Sequence, residues 1–413
     1  MEELASAASA VTPFVRRVTI RNYKSIAACQ VELQRLMFLV GPNGAGKSNF
    51  LDALRFVADA LRTPLDHALR DRGAIKEVRR RSGGHPNHFA IRLDFALPDG
   101  STGHYSFRVG SKPAGGYEVQ SEECMRITNG FPAHSFGFHV KSGQVIQGSE
   151  QMLPAALPDR LFLVAASGLP AFRPVFDALS RIEIYNLNPK VIAMPQLPDP
   201  GDLLRRDGSN AASMLQKLTE AERQQISRYL SRIVPGVASV DARPLGAQET
   251  IEFRQNVRGQ EHPWRFLASS MSDGTLRAFG VLLALFQSDR TRSELNPLLI
   301  GLEEPEMALH PAAASVLLAA LREASQRVQI LVTSHSPDLL DNPDIDTGAL
   351  LAVDNDDALT RIGPIDAAGR EMLRQKLFTA GELLRQNQLA PDPAVITDIQ
   401  SERQLKLFEL NGQ

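Results

Sequence analysis

The chain has 413 residues, 43% of them apolar, and a formal net charge of −2. That length holds two or three domains, or one domain with a large insertion, and the apolar share suffices for a substantial core. The near-neutral balance leaves no global basic field for a polyanion. Two cysteines, Cys29 and Cys124, exclude a disulfide framework and fit a reducing cytoplasm.

The opening residues Met1-Glu2-Glu3-Leu4-Ala5 are acidic, so no secretory leader is expected. No apolar run approaches membrane-spanning length; Val281–Phe286 reads as part of a core helix. Val15 to Leu33 alternates as a hairpin does, and Leu36–Val40 is a continuous apolar run that predicts a buried strand. Gly41-Pro42-Asn43-Gly44-Ala45-Gly46-Lys47-Ser48 follows at once and fits G-x-x-x-x-G-K-[ST] in full. After it, Phe50, Leu51, Leu54, Phe56 and Val57 predict an apolar helix face. Strand, glycine turn and helix start together make a phosphate site, because backbone N–H groups and the helix dipole converge on the anion. Lys47 would reach the β- and γ-phosphates, and Ser48 would hold Mg²⁺.

The segment from Arg70 to Arg81 is basic and reads as a solvated loop, with a phosphate backbone as the competing partner. Ala90–Phe95, Tyr105–Val109 and Tyr117–Val119 predict antiparallel strands, the last two split by Gly115-Gly116. Residues from about 125 to 250 carry no nucleotide motif; prolines 189, 195, 198 and 200 mark a connector, and Leu203 to Leu230 predicts helix capped at Ser209 or Asn210. Trp264, the single tryptophan, reads as core or interface packing.

The last third returns to an α/β rhythm: a helix from Asp273, a strand Pro297–Leu302, a helix from His310 and a strand Val328–Thr333. The strand near residue 300 ends in Glu303-Glu304-Pro305-Glu306. Carboxylates at a strand's C-terminal end sit where ligands bind in open α/β sheets, one placed to hold Mg²⁺ and the next to orient or deprotonate water. We assign those roles to Glu303 and Glu304. Ser272-Asp273-Gly274 opens a helix with a hydroxyl and free N–H groups, and His335 follows a buried strand within reach of a γ-phosphate. A short strand at Leu350–Val353 and a polar helical tail, Asp366–Gln388, complete the chain.

The order of these motifs resembles the ABC-type ATPase head of the RecF/SMC/OLD-like branch, among the AAA family ATPases of bacterial defence and repair. The likeness is carried by Ile20-Arg21-Asn22-Tyr23-Lys24-Ser25, by residues 41–49, by Glu303-Glu304-Pro305-Glu306 with Leu309-His310-Pro311, and by Thr333-Ser334-His335. It covers roughly residues 15–110 and 250–345. The resemblance implies a P-loop NTPase fold: a mixed β-sheet with flanking helices, an antiparallel β subdomain and an inserted, mostly helical region. The expected division is 1–120 for the first lobe, 121–250 for the insert, 251–345 for the second lobe and 346–413 for a strand and helical tail.

It further implies that ATP and Mg²⁺ are bound. Asn22, Lys24, Ser25, Asn43, Gly44, Ala45, Gly46, Lys47, Ser48 and Asn49 would surround the nucleotide, and Ser48 with Glu303 would hold the metal. Glu304 and His335 would be catalytic. Ser272, Asp273 and Gly274 would complete the site of a second copy, in a homodimer that closes over two ATP molecules. The implied role is a cytoplasmic ATP-driven switch controlling a separate effector, a nuclease or toxin encoded nearby, in anti-phage defence. The alternative is a DNA-repair or recombination ATPase that binds DNA directly.

The chain departs from the family in places. Glu303 stands where many members carry Asp, and Asp273 where transporters carry Gly. Gln120 is a candidate for the glutamine of the Q-loop, with Glu118 and Glu122 as substitutes. No SMC-length coiled coil is visible, and the tail after His335 is short for an appended nuclease domain. Asp354, Asp356 and Asp357 read as a solvated turn.

Overall fold

A computed structural model describes residues 12–81, 86–150, 153–287, 296–343, 345–401 and 407–409. The first hairpin, β1 (Val15–Tyr23) and β2 (Ile26–Glu32), leads into β3 (Leu36–Val40). Antiparallel strands β4 (His88–Ala96), β5 (Thr102–Ser111), β6 (Tyr117–Ile127), β7 (Ser135–Lys141) and β8 (Gln144–Gly148) extend the other side of β1. The short β9 (Ile182–Tyr185) comes next. A separate three-stranded sheet, β10 (Val237–Leu245), β11 (Gln248–Gln255) and β12 (Trp264–Leu267), precedes the helix Asp273–Phe286. Then come β13 (Leu299–Glu303), β14 (Gln329–Ser334), β15 (Leu350–Asp356) and β16 (Leu359–Pro364).

Among the described residues, thirteen strands form one sheet in the order β8-β7-β6-β5-β4-β1-β2-β16-β15-β3-β14-β13-β9. From β15 to β9 the neighbours run parallel, and from β8 to β2 they run antiparallel; the β15–β16 hairpin joins the two halves. The parallel half is largely apolar because both its faces pack into cores. Every residue of β14 is buried. Along β3, Met37 and Leu39 enter one core while Phe38 and Val40 enter the other, as the two-residue strand period dictates.

The first core holds the helix Lys47–Arg62. Its Phe56 meets Tyr23 and Phe89 edge-on, at centroid distances of 6.1 and 5.2 Å. The second core holds the helices Asp273–Phe286, Ala314–Ser325 and Glu220–Ile233. No helix among the described residues is long and apolar enough to cross a membrane.

Several elements differ from the sequence expectation. The predicted helix over 203–230 is two helices, Ala211–Lys217 and Glu220–Ile233, because Thr219 and Glu222 form a capping box that restarts the backbone. Asn210 precedes the first of these, but its side chain is taken up by the Arg205 N–H and the Leu203 carbonyl. Residue 121 falls inside β6, and β7 and β8 carry the antiparallel sheet on to Gly148. Trp264 is 51% exposed on the edge strand β12, so it packs in neither core. Arg72, expected in a solvated loop, is buried on Asp52 and Asp59 at 3.0 and 2.7 Å. Asp354 and Asp356 are not bare either: both pair with Arg361 across the β15–β16 hairpin.

Candidate functional site

The loop Gly41–Ser48 joins β3 to the helix Lys47–Arg62. Gly46 takes φ 105°, a left-handed conformation that suits glycine, and a Cβ there would overlap Thr360 of β16. Thr360 Oγ1 donates to the Ala45 carbonyl at 2.8 Å and shares a 2.7 Å hydrogen bond with Ser25 Oγ. Asn49 Nδ2 donates to the same Ser25 oxygen at 2.6 Å. The loop is therefore fixed from behind by two distant parts of the chain. Among the described residues, the N–H groups of Gly44, Gly46, Lys47 and Ser48 have no protein acceptor. Open donors at a helix start suit a polyphosphate.

Lys47 is buried and donates to the Gly41 and Pro42 carbonyls at 2.8 and 2.9 Å. Burial holds its ammonium below the usual lysine range, against the pull of Glu304 and Glu306. The neighbouring Ser48 hydroxyl favours the Glu303 carboxylate, but burial outweighs it and pushes the carboxyl up. A serine hydroxyl and a carboxylate together form a hard-oxygen donor set of the kind Mg²⁺ takes.

Glu304 sits just past β13 at φ 45°. Its N–H donates to Thr333, to the carbonyl at 3.0 Å and to Oγ1 at 3.3 Å. Arg277, from the helix Asp273–Phe286, donates to the Glu304 carbonyl at 3.3 Å. Such anchoring from both sides is what sustains a left-handed conformation in a residue other than glycine. His335 Nδ1 lies 3.0 Å from Glu304 Oε1, without the alignment of a hydrogen bond.

Ser272 caps the helix Asp273–Phe286, accepting from Thr275 N at 3.3 Å, and both Ser272 and Asp273 are exposed. Gly274 is required by packing: a Cβ there would overlap the Ala308 carbonyl, which ties this helix to the turn after Glu304.

The residues at the β1–β2 turn divide. Ser25 is bonded to the loop's supports, as above. Lys24, at φ 48°, pairs instead with Asp52 of the helix at 2.6 Å, and the Asn22 carbonyl accepts from Arg80 N. Asn43 and Gly44 are exposed at the loop's mouth. Gln120 lies on β6 with six strands between it and β3, so the sheet does not bring it to the loop. At the edge nearest the acids, β9 pairs with β13 and ends in Tyr185 opposite Leu302. The exposed Asn186 that follows lines a cleft of about 1900 Å³ together with Arg55, Arg277 and Glu303.

Sequence reasoning missed Thr360, Asp52, Arg277 and Asn186. The position of Asn186 after a strand had a signal in the alternating Ile182-Glu183-Ile184-Tyr185 that precedes it; the other three act through contacts with remote segments.

Comparison with known proteins agrees with this architecture. The family model described as "AAA domain, putative AbiEii toxin, Type IV TA system" matches residues 159–341, and the "AAA ATPase domain" model matches residues 14–96. No curated protein matches the sequence. Among solved structures, an Smc head bound to the C-winged helix domain of ScpA aligns with a TM-score of 0.51 at 13% identity, covering 85% of this chain and 97% of that one. The Smc head with an extended coiled coil from Pyrococcus furiosus, bound to the C-terminal domain of ScpA, aligns at 0.54 and 11% identity, covering 88% and 99%. At these identities the likeness is one of fold. The fold is that of the Smc head, and AAA-type family models match two separate stretches of the chain.

Proposed function

We propose that the protein binds Mg-ATP at Gly41–Ser48 and hydrolyses it in a homodimer that acts as a switch. The carrying observation is the convergence of Lys47, the Ser48–Glu303 pair and the Glu304–His335 pair at adjoining strand ends. Lys47 binds the β- and γ-phosphates. Ser48 and Glu303 would hold Mg²⁺, whose charge offsets that of the phosphates. Glu304 takes the proton of a water whose oxygen bonds to the γ-phosphorus as the bond to the β–γ bridging oxygen breaks. His335 orients the same carboxylate.

The exposed Ser272 and Asp273 are open to a second copy, where Ser272 and the helix N-terminus would meet the γ-phosphate. Hydrolysis removes that contact and loosens the dimer. We place the switch in the bacterial cytoplasm, controlling a separate effector in anti-phage defence. The toxin–antitoxin wording of one matching family model and the protein partners carried by the Smc heads support a protein effector. Direct DNA binding is the lesser reading. Of its basic run, Arg70 pairs with Asp66, Arg72 with Asp52 and Asp59, and Arg81 with Glu77.

The test is ATP turnover with light scattering of the Glu304→Gln variant. It should bind ATP, cease hydrolysis and elute as a dimer only with ATP and Mg²⁺. A variant that turns over normally, or stays monomeric, would move the base or remove the dimer. Duplex DNA that stimulates turnover strongly and in a salt-sensitive way would favour the repair reading.

A further inference from the structure

Glu306 differs from Glu303 and Glu304 in its surroundings. It is only 8% exposed and lies in the turn after β13, where its carbonyl accepts from Leu309 N. Its Oε1 accepts the Ser334 hydroxyl at 2.6 Å, and Ser334 Oγ accepts the Ser336 N–H at 3.1 Å. Its Oε2 is buried with no hydrogen-bond partner. Both residues flanking His335 therefore hang from one side chain, Ser334 directly and Ser336 through it.

The neighbouring residue of β14 makes the matching brace. Thr333 receives the Glu304 N–H on two oxygens. The end of β14 is thus fastened twice to the acidic turn, Thr333 to Glu304 and Ser334 to Glu306, and between these fastenings the His335 ring comes to 3.0 Å from Glu304. An apolar side chain of similar volume would fill the space of Glu306 without desolvating a carboxylate. What it could not do is accept the Ser334 hydroxyl. Catalytic groups need this kind of support, because a displacement of about 1 Å is enough to lose most of a rate.

We propose that Glu306 is a positioning residue: it fixes the loop Ser334–Ser336 so that His335 is delivered to Glu304. This rests on the reading of Glu304 and His335 as the reacting pair. Glu306→Gln keeps an oxygen for Ser334 and should retain kcat within about threefold. Glu306→Ala removes the acceptor and should lower kcat roughly 10–100-fold, with KM and ATP affinity within about threefold. Ser334→Ala should move kcat the same way. Combining Glu306→Ala with His335→Ala should cost no more than His335→Ala alone, since both act through one ring.

A second measurement needs no turnover. In the full chain without nucleotide, the His335 imidazole NMR signals, assigned by their loss in His335→Gln, should shift in Glu306→Ala and Ser334→Ala and stay in place in Glu306→Gln. The proposal is overturned if both alanine variants keep kcat within about twofold, if ATP affinity falls in proportion to kcat, or if the imidazole signals do not move. A wild-type chain that fails to hydrolyse ATP overturns the ATPase reading instead, and the imidazole signals still decide the role of Glu306. Should Glu306→Ala not fold, Ser334→Ala carries the same comparison.

Discussion

Lys47 is held by two carbonyls of its own loop, which in the proposed function it exchanges for phosphate oxygens. Lys47→Ala should weaken ATP binding at least about 100-fold by calorimetry, the loss expected for charge-assisted hydrogen bonds. Its thermal stability should hold or rise, since a buried cation is removed. Asp52 makes the opposite prediction. It accepts from Tyr23 at 2.7 Å, Lys24 at 2.6 Å and Arg72 at 3.0 Å. These cations hold its carboxyl below the usual range despite burial. Asp52→Ala leaves Arg72 buried with Asp59 as its remaining ion partner and should cost on the order of 3 kcal/mol in urea unfolding. At this scale the sequence was legible where a residue's place is set by its immediate neighbours: Lys47 and Ser48 open the helix after the glycine loop, and Glu303 and Glu304 stand at the end of β13. Thr360 was not legible. It holds the Ala45 carbonyl from 315 residues away, and nothing around Thr360 in the chain hints at a phosphate loop.

At the scale of elements, the helix Asp273–Phe286 carries information in two directions. Its first turn is exposed at Ser272 and Asp273, and one turn on Arg277 grips the backbone of Glu304. Ser272→Arg should leave ATP binding of the isolated chain within about threefold but abolish dimer formation and turnover. Equal loss of binding and turnover would place the serine at its own nucleotide instead. The substitution also removes a helix cap, a loss of about 1 kcal/mol that a melting curve will show. The apolar runs of β3, β13 and β14 were readable because strands covered on both faces lack polar positions. The extent of β6 to β8 was harder: β8 is exposed at every residue, so it offers no alternating pattern. The break at Thr219 was missed because Leu218 continues the apolar spacing across the cap.

At the scale of the molecule, Glu122 ties the antiparallel lobe to the segment that follows it. Its carboxylate accepts from the Leu163 N–H at 2.8 Å and the Tyr105 hydroxyl at 2.9 Å, yet burial pushes its pKa up to about 7. A carboxyl with a raised pKa in the folded state favours folding at low pH and loses that contribution as pH rises. Stability should therefore decline between about pH 4.5 and 7, by on the order of 3 kcal/mol from this group. Glu122→Gln should flatten that slope in pH-dependent unfolding; an unchanged slope would assign it elsewhere. The weave of the large sheet has a consequence for biosynthesis. Both neighbours of β3 within the sheet, β14 and β15, come from the last third of the chain, and the hairpin that backs the glycine loop ends at Pro364. A ribosome must therefore pass Pro364 before the glycine loop gains both its flanking strands and the hairpin behind it. On the proposed reading, nascent chains stalled upstream of Leu350 should capture no ATP, and capture should begin only once the β15–β16 hairpin has cleared the exit tunnel.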